Sequence, residues 1–71
     1  MFSERLKNAR NDKNLTQKVV ADYLGINLKG YQHYEYGVCK PPFENIIKLC
    51  QLLNVSADYL LGLSDIKERR V

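Results

Sequence analysis

Side chains able to exchange hydrogen bonds with a partner crowd into one stretch: Gln17, Asn27, Lys29, Gln32, His33, Tyr36 and Lys40, with the apolar Leu28 among them. Lys29 can only donate, Gln32 offers a donor and an acceptor side by side, and His33 can do either. Catalysis is poorly served by this set. His33 is the only histidine in the chain, and there is no adjacent nucleophile–base pair, Gly-rich phosphate loop or clustered pair of acids. Cys39 and Cys50 show neither a metal-ligand spacing nor a disulfide framework, and read as two thiols, one of them in the core. The sequence therefore predicts no catalytic residue, no metal, no cofactor and no small-molecule ligand. The chemistry that remains is recognition.

Two short helices joined by a tight turn would carry these side chains. Thr16 stands where an N-cap belongs, and Gln17–Leu24 follows with apolar residues at helical spacing. Gly25 can take the left-handed conformation that ends a helix and redirects the chain. Ile26 plugs the turn and Asn27 caps a second helix, Leu28–Tyr36. Tyr31 and Tyr34 share one face of that helix, leaving Leu28, Lys29, Gln32 and His33 elsewhere on the cylinder. An anchoring helix followed at a steep angle by one that displays polar tips is a helix-turn-helix.

The flanking segments supply the support. Ser3 is expected to cap a first helix reaching about Lys13, with Leu6 and Ala9 on its inner face and Asn14 as a left-handed stop. Leu15 then dips toward the core. Pro41 and Pro42 close a loop, and a fourth helix follows to Leu53 with Phe43, Ile46, Ile47, Cys50 and Leu53 as its apolar stripe. Asn54 stops it, Val55 is a buried link, Ser56 caps a last helix Ala57–Leu61, and Gly62 ends that. With no strand signal or repeat, the expected fold is all-α, five helices in one domain over residues 1–63. Residues 64–71 are expected to form a charged, frayed tail or the start of a linker.

At 71 residues the chain can bury one small core. No stretch nears the ~20 apolar residues of a membrane span, and Glu4 interrupts the N-terminus where a signal peptide needs apolar residues. A cytoplasmic protein is expected. The net charge is +3. Residues 1–40 hold seven Lys/Arg against four Asp/Glu, whereas residues 41–66 hold one Lys against three acids. The basic surplus lies with the helix-turn-helix, as a nucleic-acid face would require.

A helix of about nine residues spans ~13 Å, and the ~12 Å major groove of B-DNA admits one helix. Leu28, Lys29, Gln32 and His33 are then the expected base readers. Lys29 would donate to guanine, Gln32 would match adenine's donor–acceptor edge, and Leu28 would pack on a thymine methyl. His33 would meet a base or a phosphate. Gln17 and Asn27, at two helix N-termini, together with Tyr36 and Lys40, are the expected DNA-backbone contacts.

Gln17, Val20, Ala21, Leu24, Gly25, Ile26, Tyr34, Glu35 and Gly37, counted from Gln17, resemble the Cro/repressor (XRE-like) helix-turn-helix of phage and bacterial transcriptional regulators. The segment Leu53–Gly62 is similar to that family's closing segment, so the likeness covers about 60 residues. It implies a compact phage-repressor-like DNA-binding domain with the helix-turn-helix in helices 2 and 3. It also implies a buried ion pair between Arg10 and Glu35. As a function it implies a repressor that binds a palindromic operator as a homodimer, with Ala57, Tyr59 and Leu60 as candidate interface residues; the alternative for these residues, Leu60 and Tyr59 above all, is to fill the core. Two residues depart from the pattern. Gly30 interrupts the second helix at a cost of ~1 kcal/mol against alanine, loosening it or letting DNA approach closely. Tyr31 replaces a smaller aliphatic residue, which implies a helix set farther out or an exposed ring edge. Other readings stay open: an interaction module such as a helix-turn-helix antitoxin, or a tyrosine platform (Tyr31, Tyr34, Tyr36) stacking single strands. The chain is either a complete minimal regulator or the N-terminal part of a longer one.

Overall fold

Local capping signals decide most helix boundaries in the computed structural model, which describes residues 1–68; Arg69, Arg70 and Val71 of the expected tail lie outside the described residues. Five helices are present, α1 (Phe2–Asp12), α2 (Gln17–Leu24), α3 (Leu28–Glu35), α4 (Phe43–Leu53) and α5 (Ala57–Leu60), and no strand occurs among the described residues. The hydroxyl of Thr16 accepts from the Val19 N–H, Asn27 Oδ1 accepts from the Gly30 N–H, and Ser56 Oγ accepts from the Tyr59 N–H. Each satisfies one of the amides that the first turn leaves without a partner. Asn14 and Asn54 adopt left-handed backbone at φ 56 and 54, as stops for α1 and α4. Gly25 at φ 73 turns the chain from α2 to α3, with the Gly25 and Ile26 N–H groups donating back to Asp22 and Ala21.

The start of α1 differs from expectation. Ser3 is not its cap: the helix opens at Phe2, because the Arg5 N–H already donates to the Met1 carbonyl. The ends of α3 and α5 fall one residue earlier than predicted, at Glu35 and Leu60.

The core is built from all five helices: Leu6 and Ala9 of α1, Val20, Ala21 and Leu24 of α2, Tyr31 and Tyr34 of α3, Leu49, Cys50 and Leu53 of α4, then Val55, Tyr59 and Leu60. α4 is rotated relative to the expected stripe. Leu49 is fully buried, while Phe43 is 77% exposed and Ile47 is 44% exposed. Positions 46, 49, 50 and 53 also have helical spacing, and with seven apolar residues on α4 two overlapping stripes exist. Packing against α2 and α5 selected between them. Cys39 is exposed and Cys50 lies in the core, and they form no disulfide.

The segment after Gly62 is held rather than frayed through Lys67. The Ser56 N–H donates to the Lys67 carbonyl at 2.7 Å, and Ser56 Oγ donates to the Ile66 carbonyl at 2.9 Å. Arg5 of α1 is the other anchor. Its Nη1 donates to the carbonyls of Tyr59 and Ser64, its Nη2 pairs with Asp65 at 2.7 Å, and its guanidinium lies 4.5 Å from the Tyr59 ring centre. Lys67 reaches back to Asp12 at 2.8 Å. No helix among the described residues is long and apolar enough to cross a membrane.

Candidate nucleic-acid interface

α3 has two unlike faces. Its inner face is Tyr31, Tyr34 and Glu35, all buried. Leu28 and Lys29 are exposed, and Gln32 and His33 are half-buried at the margin. Tyr31 settles the question its size raised. It is fully buried, edge-on to Tyr34 with ring centres 6.3 Å apart, so neither ring is set out as a stacking platform; of the three tyrosines only Tyr36 is exposed.

Glu35 is the centre of a hydrogen-bonded network joining α1, α2 and α3. Its side chain has no solvent exposure, and that of Arg10 is 11% exposed. Arg10 Nε and the Tyr31 hydroxyl each donate to Oε2 at 2.5 Å. Arg10 Nη2 and Gln17 Nε2 each donate to Oε1 at 3.1 Å. Arg10 Nη1 donates onward to the Leu15 carbonyl at 2.7 Å, which ties down the link between α1 and α2. Burial alone would raise the Glu35 carboxyl, but the donors Arg10, Tyr31 and Gln17 together outweigh it and hold the group below the usual carboxylate range. Burial, then the hydrogen bond to Glu35, pushes the Tyr31 phenol up; the hydrogen bond to Glu35 raises Arg10 further.

The family likeness pointed to Arg10 and Glu35 as a pair; the structure enlarges the pair to four side chains. Tyr31 was legible in principle, since it stands four residues before Glu35 and the two share a helix face. Gln17 was not, because it lies on another helix. Its amide, expected at a phosphate, is bonded at both ends within the protein, and Oε1 accepts from Gln32 Nε2 at 3.1 Å. What Gln17 retains toward a phosphate is its main-chain N–H in the first turn of α2.

Asn27 is exposed, but its side-chain oxygen is used as the α3 cap. A Cβ at Gly30 would stand 3.0 Å from this oxygen, a tight contact that Asn27 would have to shift slightly to relieve. Tyr36 and Lys40 are exposed beyond the end of α3. Among the described residues, Lys29 and Lys40 make no ion pair, whereas Lys18 is paired with Asp22 at 2.9 Å. Two of the three residues expected between copies are corrected. Leu60 has no exposure and Tyr59 has 7%, because both fill the core beneath α1 and α4; Ala57 alone is exposed.

A cap-turn-cap pair of helices, locked from beneath by a buried carboxylate and leaving donors on its outer rim, defines a helix-turn-helix scaffold. The helix-turn-helix domain family profile matches residues 3–66, and the chain belongs to that family. It is 46% identical over 61 residues to the SPbeta prophage-derived HTH-type transcriptional regulator YonR of Bacillus subtilis, covering 86% of this chain and 56% of that protein. It is 44% identical over 61 residues to the cryptic phage CTXphi transcriptional repressor RstR of Vibrio cholerae, covering 86% of this chain and 54% of the repressor. The chain thus spans about half the length of the curated relatives it matches. Among solved structures, the P22 c2 repressor in complex with a synthetic operator superposes with a TM-score of 0.82 at 25% identity, over 90% of this chain and 97% of the repressor chain. The five-helix fold is that of the P22 c2 DNA-binding domain.

Proposed function

We propose that this chain is the DNA-binding part of a transcriptional repressor, placing α3 in the major groove of an operator. The observation that carries the reading is the division of α3. One face is fixed to α1 and α2 through the Glu35 network, and the other exposes Leu28 and Lys29 with the half-buried Gln32 and His33 at its margin. A reading helix must be held rigidly, because a base contact is made or lost within a fraction of an ångström. The similarity to proteins named as regulators and repressors supports the same reading.

These four residues read base edges. The Gln17 main-chain N–H, Asn27, Tyr36 and Lys40 hold the sugar–phosphate backbone. No reaction is involved, since occupying a site near a promoter excludes polymerase sterically. One such domain makes few base contacts, so a homodimer on two inverted half-sites about one helical turn, ~34 Å, apart doubles them. Ala57, with the exposed Leu61 and Leu63 after it, is the surface nearest the expected contact between copies. Such a regulator works in the cytoplasm, where its DNA is.

Selection from a random duplex library, followed by titration at two salt concentrations, tests this. Lys29→Ala should cost ~1–3 kcal/mol on the preferred duplex and relax choice at one position. Lys40→Ala should weaken binding to every sequence and lower the salt slope by ~1. A wild-type protein that prefers no duplex over scrambled DNA rules the repressor reading out in favour of an interaction module.

A further inference from the structure

Building on the assignment of Gln32 as a base contact, we propose that Gln17 is a positioning residue that fixes which end of the Gln32 amide faces the DNA, and so restricts the base it accepts to one bearing an amino group. Glu35 sets the direction. An ionised carboxylate only accepts hydrogen bonds, so the Gln17 atom 3.1 Å from Glu35 Oε1 must be the NH2 nitrogen. Reversing that amide would set two acceptors against each other inside the network. With Nε2 committed to Glu35, Gln17 turns Oε1 toward Gln32, and this oxygen takes a hydrogen from Gln32 Nε2 at 3.1 Å. Gln32 cannot reverse either, since its own Oε1 would then face the Gln17 oxygen.

The consequence appears at the free end of the chain of amides. Gln32 Oε1 bonds no protein group among the described residues, and no partnerless side-chain polar atom there is buried, so this oxygen is open to solvent. Gln32 therefore meets a partner with an acceptor, beside one remaining N–H. In the major groove, amino donors are carried by adenine at N6 and cytosine at N4. Adenine also offers N7 to the remaining N–H. Guanine and thymine turn oxygen acceptors toward the same place and are disfavoured. Buried charge is thus read out as base choice: Arg10 and Tyr31 hold the carboxylate, the carboxylate orients Gln17, and Gln17 orients Gln32.

The test compares wild type with Gln32→Ala, Gln17→Met and Gln17→Lys in duplex selection, then titration on duplexes differing at the position Gln32 reads. Wild type should favour adenine or cytosine there, and Gln32→Ala should abolish that preference. Gln17→Met keeps the length but frees the Gln32 amide, and should lose about tenfold selectivity at that position alone. Gln17→Lys pairs with Glu35 but can only donate, which draws Gln32 Oε1 inward, turns the NH2 outward and should move the preference toward guanine or thymine. Should Gln17→Met fail to fold, Gln17→Lys carries the test. In the free protein, the side-chain amide of Gln32 should show one downfield-shifted proton by NMR, lost in either Gln17 variant. Unchanged base preference in both Gln17 variants overturns the proposal while leaving Gln32 as a reader. A preference unchanged by Gln32→Ala removes Gln32 from recognition, and the proposal with it.

Discussion

Glu35→Ala should remove a large part of the stability of this domain. The side chain is wholly buried and accepts from Arg10, Tyr31 and Gln17. Without it, Arg10 keeps only its bond to the Leu15 carbonyl and becomes a nearly buried charge with no counter-charge. Breaking one side of such a pair costs ~3–5 kcal/mol. Part of that is the Tyr31 hydroxyl, fully buried and left without an acceptor, at ~1–3 kcal/mol. Gln17 is half-buried and regains water, so it adds little. A domain of 71 residues has a total stability of about 4–11 kcal/mol. Urea unfolding at 25 °C followed by far-UV circular dichroism should show the midpoint fall by about 3–5 M, for a slope near 1 kcal/mol/M, or show a chain unfolded without urea. The mechanism also predicts coupling. Tyr31→Phe should cost ~1.5–3 kcal/mol in the wild type, where it loses a bond to a charged group, and close to nothing beside Glu35→Ala. Adding Arg10→Met to Glu35→Leu should recover much of the loss, because no charge then remains buried. A Glu35→Ala loss under about 1 kcal/mol, the scale of an exposed pair, or additive Tyr31 and Glu35 effects, would refute this account of the network.

Acid should act through the same group. Because Glu35 is held below its ordinary value, its contribution is present above the unfolded carboxylate pKa, about 4.3, and is lost as pH falls through the lower folded value. Thermal melts of wild type should therefore drop below about pH 4 more steeply than those of Glu35→Gln. Gly25→Ala should destabilise by about 1 kcal/mol or more, although no atom lies within 4 Å of the added methyl, because the strain is in the backbone at φ 73; chemical denaturation measures it. Arg5→Ala should release the segment after Gly62, and hydrogen exchange should show the Ser56 amide, which donates to the Lys67 carbonyl, exchanging faster.

The helices themselves were legible because their signals are local. Thr16, Asn27 and Ser56 each bond an amide three residues ahead, and Asn14, Gly25 and Asn54 stop helices through their own backbone conformation. Neither device depends on distant residues, so sequence alone determined these three helix starts and three stops, and with Gly25 and Asn27 the turn between α2 and α3. The face of α4 was a different kind of question. Seven apolar residues allow two stripes, and only the surfaces of α2 and α5 could choose Leu49 for the core and leave Phe43 outside. The same distinction divides the interface. The outer residues of α3 could be assigned by helical period, and Arg10 with Glu35 by family likeness. That Gln17 would join Glu35 to Gln32 could not be read, since these bonds span 18 and 15 residues of chain. Nor could the docking of Ser64 and Asp65 on Arg5, across 59 and 60 residues. Caps are chosen by neighbours in sequence, whereas the direction of a side-chain amide is chosen by whatever folding brings against it.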